Sequence, residues 1–177
     1  VRRKSSGDRM FSKRRRLPEQ MAVLEAKGGG TAIYELQGNL FFGTTDRLFT
    51  EIEADLHARR FVILDLRRVQ SVDFTAIHLL EQIETRLAEK GGRLLFSGLP
   101  PNLPTGQDLQ AYFDEVGLMK ASGHARIFDE LDDALEWVED GILEEEKLTA
   151  ASRAPLSLRE LDLFHGFDDA MLAALAA

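Results

Sequence analysis

The sequence predicts an α/β domain with a mixed sheet of four to six strands and amphipathic helices mainly on one face. Three observations predict it. Phe61 to Leu66 (FVILDL) is a short apolar run of β-formers interrupted only by Asp65, which suits a strand covered on both faces. From Phe74 onward, apolar residues recur at Ile77, Leu80, Ile83 and Leu87 with Ala76 beside them. That is helical spacing, and it leaves Glu81, Glu84, Arg86 and Glu89 largely on the outer face. Arg93 to Ser97 (RLLFS) is a second apolar run, reached through Gly91–Gly92, which stops the helix. A strand, helix and strand linked so closely should form a right-handed βαβ unit.

The other elements follow in order. Leu17 to Glu25 reads as a short lead-in helix broken by Lys27-Gly-Gly-Gly30. Thr31 to Leu36 alternates as a strand. Gly38-Asn39 reads as a turn, and Leu40 to Phe42 as a short second strand. A helix then runs from Gly43 to about Arg59, capped by Thr44 or Thr45. It buries Leu48, Phe49, Ile52 and Leu56 and exposes Glu51, Glu53 and Asp55. Arg67 to Ser71 is polar and reads as a tight turn, after which Ser71 or Asp73 can cap the central helix. Pro100-Pro-Asn-Leu-Pro104 is an ordered loop, because proline neither continues a strand nor sits inside a helix. A helix near Gly106 to Val116 buries Leu109, Phe113 and Val116 and ends at Gly117. Arg126 to Phe128 is an edge strand. The last helix, Glu130 to about Glu146, aligns Leu131, Leu135, Val138 and Ile142, with Trp137 packing at the helix–sheet boundary.

These segments carry a family resemblance. Asp73-Phe74-Thr75 sets an Asp-x-Thr at a helix start, just after a strand and a polar turn. Together with residues 38–48 (GNLFFGTTDRL), 62–66 (VILDL), 72–82 (VDFTAIHLLEQ), 91–100 (GGRLLFSGLP) and 125–137 (ARIFDELDDALEW), it resembles the STAS domain. That domain is shared by sulfate-transporter-type anion transporters and bacterial anti-sigma-factor antagonists, and these strings resemble the transporter branch. The similarity runs over about residues 30 to 143. It implies a STAS fold over residues 19–147 and a cytoplasmic, non-catalytic regulatory or interaction domain of an anion transporter at the inner face of the cell membrane. The partners it implies are the transmembrane domain of the same chain and a second STAS domain. The alternative is a soluble phospho-switch of the anti-sigma-factor-antagonist kind. In that branch a serine follows the aspartate, whereas Phe74 stands here without a hydroxyl. Thr75 matches the hydroxyl position of the transporter type, so Asp73 and Thr75 are the candidate phosphorylation or anion site. Simple helix capping by the same two residues is the competing reading.

Charge divides the chain. Its net charge of −8 hides eight basic against two acidic residues in the first twenty, and 14 basic against 28 acidic in the rest. Residues 1–18 lack apolar periodicity and read as a poorly ordered leader. Phe11 alone is aromatic among its cations and the rest of the chain is acidic, so nucleic acid is not the expected partner. The resemblance makes it a juxtamembrane segment in which Arg2, Arg3, Lys4, Lys13, Arg14, Arg15 and Arg16 meet anionic lipid headgroups. Beyond the domain, Thr149 to Pro155 is a polar linker within 148–177. Leu161, Leu163, Phe164 and Phe167, followed by AMLAALAA, resemble the entry of a cyclic-nucleotide-binding domain. An amphipathic helix docking on the same domain is the other reading of that stretch.

Signals for catalysis are few. The sequence has no cysteine, no phosphate-binding glycine loop and no His-Glu-x-x-His. His57, His78, His124 and His165 lack metal-ligand spacing, so no metal is expected. The acidic clusters suit helix ends and solvated faces better than paired-carboxylate chemistry. The resemblance also implies a weak nucleotide or anion ligand. Its loops, Gly43, Thr44, Thr45 and Asp46, then Asp73 to Thr75, then Gly98 and Leu99, should gather at one edge of the sheet, where α/β folds take ligands.

Overall fold

The computed structural model describes residues 1–115, 117–118 and 124–148. The expected linker and cyclic-nucleotide-binding resemblance therefore lie outside the described residues, as does Val116. Five strands form one sheet in the order β1-β2-β3-β4-β5: Arg3–Ser6, Thr31–Leu40, Phe61–Val72, Arg93–Ser97 and Ala125–Phe128. β1 runs antiparallel to β2, and the remaining neighbours are parallel. The helices are α1 (Pro18–Lys27), α2 (Phe42–Ala58), α3 (Phe74–Ala88), α4 (Leu109–Glu115) and α5 (Leu131–Glu145).

β3 has alternate residues that are apolar on both sides, so both faces of the sheet need cover. Val62, Leu64 and Leu66 join Leu48, Ile52 and Leu56 of α2, Ile77, Leu80, Ile83 and Leu87 of α3, and Leu109 and Phe113 of α4. Phe61 and Ile63 join Ile33, Leu95, Leu24 of α1, and Leu135, Val138 and Ile142 of α5. The expectation of helices mainly on one face is thus only half the architecture, since α1 and α5 close the second face. Trp137 packs edge-on to Phe61 at 6.1 Å and lies 6.0 Å from Phe128, with the Arg93 and Arg126 guanidinium groups over its ring.

Four local readings change. Gly38-Asn39 is no turn: β2 runs through it to Leu40, with register shifts between Glu35 and Gln37 and between Gly38 and Asn39. The glycine supplies a positive φ of 82° inside an irregular strand. Leu40 to Phe42 is consequently no separate strand, and α2 begins at Phe42, which puts Thr44 and Thr45 within its first turn. Arg67 to Ser71 is also strand, paired only with β2 on one side, with Val69 and Val72 buried and Arg67, Arg68 and Gln70 exposed. α4 starts at Leu109, because Gly106 holds a φ of 79° and the Asp108 carboxylate accepts the Ala111 N–H at 3.0 Å.

The largest correction concerns the leader, which is folded rather than poorly ordered. Arg3 to Ser6 pairs with Ala32 to Glu35 as an edge strand, and Arg2 and Arg3 bridge to Glu35 at 3.2 and 3.6 Å. Residues 12–16 then lie along α5. The Glu139 carboxylate accepts the Ser12 N–H and hydroxyl, both at 2.6 Å, and Arg16 at 2.9 Å. Arg16 also reaches Asp140 at 2.6 Å, and the side chains of Arg16 and Glu139 are only 5% and 6% exposed. A run of cations reads as solvated, but the outer face of α5 offers Asp132, Glu136, Glu139 and Asp140 as fixed counter-charges.

Two carboxylates expected in solvent are buried. Glu84 lies inside α3, where burial pushes its carboxyl upward while the nearby His124 pulls it down. Asp55, 6% exposed, bonds the Tyr34 hydroxyl, Lys4 at 2.8 Å and Arg59 at 3.4 Å. Burial alone would raise the Asp55 pKa, but Lys4, Tyr34 and Arg59 together hold it below the usual carboxylate value. A depressed native pKa stabilises the fold above the unfolded value of about 4, and the gain is lost as pH falls through the native value. Asp55→Asn should therefore cost about 2 kcal/mol at pH 7 but much less near pH 3, as measured by urea unfolding at both values.

Candidate functional site

The start of α3 is built by the β2–β3 pair. Leu40 pairs with Val72, and the Asp73 N–H donates to the Leu40 carbonyl at 3.0 Å. This bond lays the β2–α2 and β3–α3 connections side by side. Asp73 has extended backbone angles, and its Oδ1 accepts the Ala76 N–H at 2.7 Å. It is the N-cap of the two expected alternatives; Ser71 instead donates to Asn39 Oδ1 at 2.9 Å.

Capping changes what the helix start can hold. A helix N-terminus favours an anion because its first N–H groups are free and the dipole is positive there. Here the Asp73 carboxylate already supplies that anion and takes one of those N–H groups. A second anion would meet its repulsion. Thr75 is half-buried at the second position of the helix. Between the two, Phe74 points outward with 68% of its surface exposed. His78, one turn on, stacks on it at 6.0 Å and 16° and contacts Glu81 Oε2 through Nδ1 at 2.8 Å. Phe41, in the neighbouring connection, is 49% exposed. The site thus presents two aromatic side chains beside a capped helix end, and sequence reasoning treated Phe74 only as a missing hydroxyl. Its exposure could have been read from the helical pattern, which puts Ile77 and Leu80 inward and Phe74 outside their stripe.

The loops expected to gather do so only in part. Gly43 and Asp46 are exposed within the start of α2, whose lead-in from Leu40 adjoins Asp73. Gly98 and Leu99 sit elsewhere. β4 ends with Ser97 opposite Asp65, while β3 continues seven residues to Val72, about 20 Å along the strand at ~3.3 Å per residue. The Gly98 backbone, at a φ of 62°, instead lies against the Asp65 carboxylate, and a Cβ there would come within 3.2 Å of it. Asp65 in turn accepts the Arg67 amide and guanidinium, both at 3.0 Å. The stagger comes from the extra strand length in the stretch that reads as a turn.

The leader cations have local acidic partners: Arg2 and Arg3 with Glu35, Lys4 with Asp55, Arg14 with Glu136 and Asp140, and Arg16 with Glu139 and Asp140. Lys13 donates its amide to Asp132 at 2.8 Å, while the residues Lys13 and Arg15 are exposed. Among the described residues no three His, Asp or Glu side chains converge on a metal-sized site, and no helix is long and apolar enough to cross a membrane.

A family model described as the STAS domain matches residues 23–134. A sulfate transporter family protein from Wolinella succinogenes has a similar solved structure, with 27% identity and a TM-score of 0.52, covering 65% of this chain and 88% of that one. An anti-sigma factor antagonist from Thermotoga maritima, described as putative, shares the fold with 15% identity and a TM-score of 0.53, covering 62% and 87%. Among curated proteins, Glutaminase 2 of Bradyrhizobium diazoefficiens is 28% identical over 133 residues, or 75% of this chain. The chain spans about one fifth of the length of that relative, 20%.

The cap gives a direct test. Asp73→Ala should destabilise the domain by about 1 kcal/mol in urea unfolding, whereas Asp73→Asn, which keeps an acceptor oxygen, should cost less.

Proposed function

The chain belongs to the STAS family, and on that footing we propose that it is a non-catalytic regulatory and interaction domain of a larger protein, the cytoplasmic module of a sulfate-type anion transporter. The observation that carries the reading is Phe74, held outward beside the capped start of α3 with Phe41 near it. Adjoining exposed apolar groups mark contact surfaces, and aromatic anchors contribute much of the energy of protein contacts. The same residue disfavours the phospho-switch, because a phenylalanine stands where that branch carries its serine. The transporter setting draws support from the 27% identity with the Wolinella protein over 65% of this chain. Within it, the cations of residues 2–16 would face anionic headgroups, a contact that has to compete with their acidic partners in the fold.

A second setting has its own support. The match to Glutaminase 2 covers 75% of this chain yet only 20% of that protein, as expected if the same kind of domain were joined to an enzyme. Regulation through the α3 surface would then act on a neighbouring catalytic domain instead of a transport path.

The full-length protein separates the two. Reconstituted in sulfate-loaded proteoliposomes, it should exchange sulfate, and Phe74→Ala should lower the rate several-fold without reducing the yield of folded protein. Glutamine hydrolysis with no sulfate flux would establish the second setting instead. Flux unchanged by Phe74→Ala would remove the role given to the aromatic surface.

A further inference from the structure

We propose that the acidic outer face of α5 is an autoinhibitory seat for the basic segment 13–16, holding it off anionic lipid until the segment is released. The inference rests on the transporter reading and adds a regulated step to it. Arg14 and Arg16 pair with carboxylates of α5, the Arg16 side chain buried and that of Arg14 half-exposed, while Lys13 and Arg15 are exposed. Opposite these four cations stand four carboxylates, Asp132, Glu136, Glu139 and Asp140, each bonded to the strap. Seated, the patch is close to neutral; beyond it Glu145 and Glu146 are bridged to Arg60 and Lys27, and Glu144 is exposed. An anionic surface approaching α5 therefore gains little from Lys13 and Arg15, whose charges are offset by the carboxylates beneath them. Released, the same segment presents four adjacent positive charges with no carboxylate among them, the pattern that binds anionic headgroups.

Glu139 is the pin of the seat. One carboxylate takes the Ser12 amide and hydroxyl together with two nitrogens of Arg16, at 2.6 to 3.1 Å. Because these groups share a partner, loss of its charge should loosen residues 12 to 16 as a unit. The contact is fixed at its other end by β1, whose pairing with β2 leaves the strand in place when the strap lifts.

The test uses the whole chain and a Glu136→Gln, Glu139→Gln, Asp140→Asn triple variant, with vesicles of neutral lipid alone or with roughly a third anionic lipid. The chain has no cysteine, so spin labels at Arg15→Cys and Glu144→Cys report the strap-to-helix distance without competing sites. The triple variant should show a lengthened label distance and bind anionic vesicles at least tenfold more tightly than the parent chain, with the gain abolished by high salt and absent on neutral vesicles. A label distance unchanged by the three substitutions would overturn the latch while leaving the transporter reading standing. A strap that opens while neither chain binds anionic vesicles would overturn the lipid contact itself, and with it the membrane setting of the leader. Equal binding of parent and variant to anionic vesicles would overturn the autoinhibition.

Discussion

The constraint on which the structure depends is that β3 is apolar on both sides. Leu64 and Leu66 face one way, and Phe61 and Ile63 the other, so neither face of the sheet can be left to water. At ~25 cal/mol per Å² of buried apolar surface, covering a leucine or phenylalanine contributes about 2 kcal/mol, which makes a one-sided sheet unstable. α2, α3 and α4 therefore close one face, and α1 and α5 the other. Placing α5 there turns its acidic stripe outward, and that stripe becomes the seat of the basic segment. The leader's order is thus a consequence of the core.

The same strand positions the candidate site. β3 runs beyond β4 as a ribbon shared with β2, and the Asp73 N–H closes onto Leu40 at its far end. The start of α3 is consequently carried away from the Gly98 loop and set beside the start of α2. This favours a surface contact over a ligand cradle made by three loops. A helix end whose own aspartate has taken the anion's place, with Phe74 and Phe41 outside it, is suited to meeting another protein surface.

Much of this was legible in the residues. The apolar runs at 61–66 and 93–97 and the helical stripe Ile77, Leu80, Ile83 and Leu87 have one consistent solution, and the structure adopts it. Asp73 was legible as a cap because a short carboxylate before an amphipathic run has few other uses. What sequence reasoning missed depends on contacts distant in the chain. Arg67 to Ser71 is polar, yet it is strand because β2 pairs with it and only Val69 and Val72 need cover. Asp55 and Glu84 carry charges that local pattern assigns to solvent. Asp55 is buried because Tyr34, Lys4 and Arg59 converge on it from other elements. The partners of residues 12–16 lie more than a hundred residues away on α5, and no local rule could have paired them.

The central claim is that residues 2–16 belong to the folded domain. Amide hydrogen exchange on the chain in low salt tests it most directly, because the Arg2 and Gly7 N–H groups donate to the Glu35 and Thr31 carbonyls, and those of Ser12 and Lys13 to Glu139 and Asp132. The account predicts that these amides exchange at least a hundredfold more slowly than in a free peptide of the same sequence. Their exchange at free-peptide rates, with β3 still protected, would contradict it.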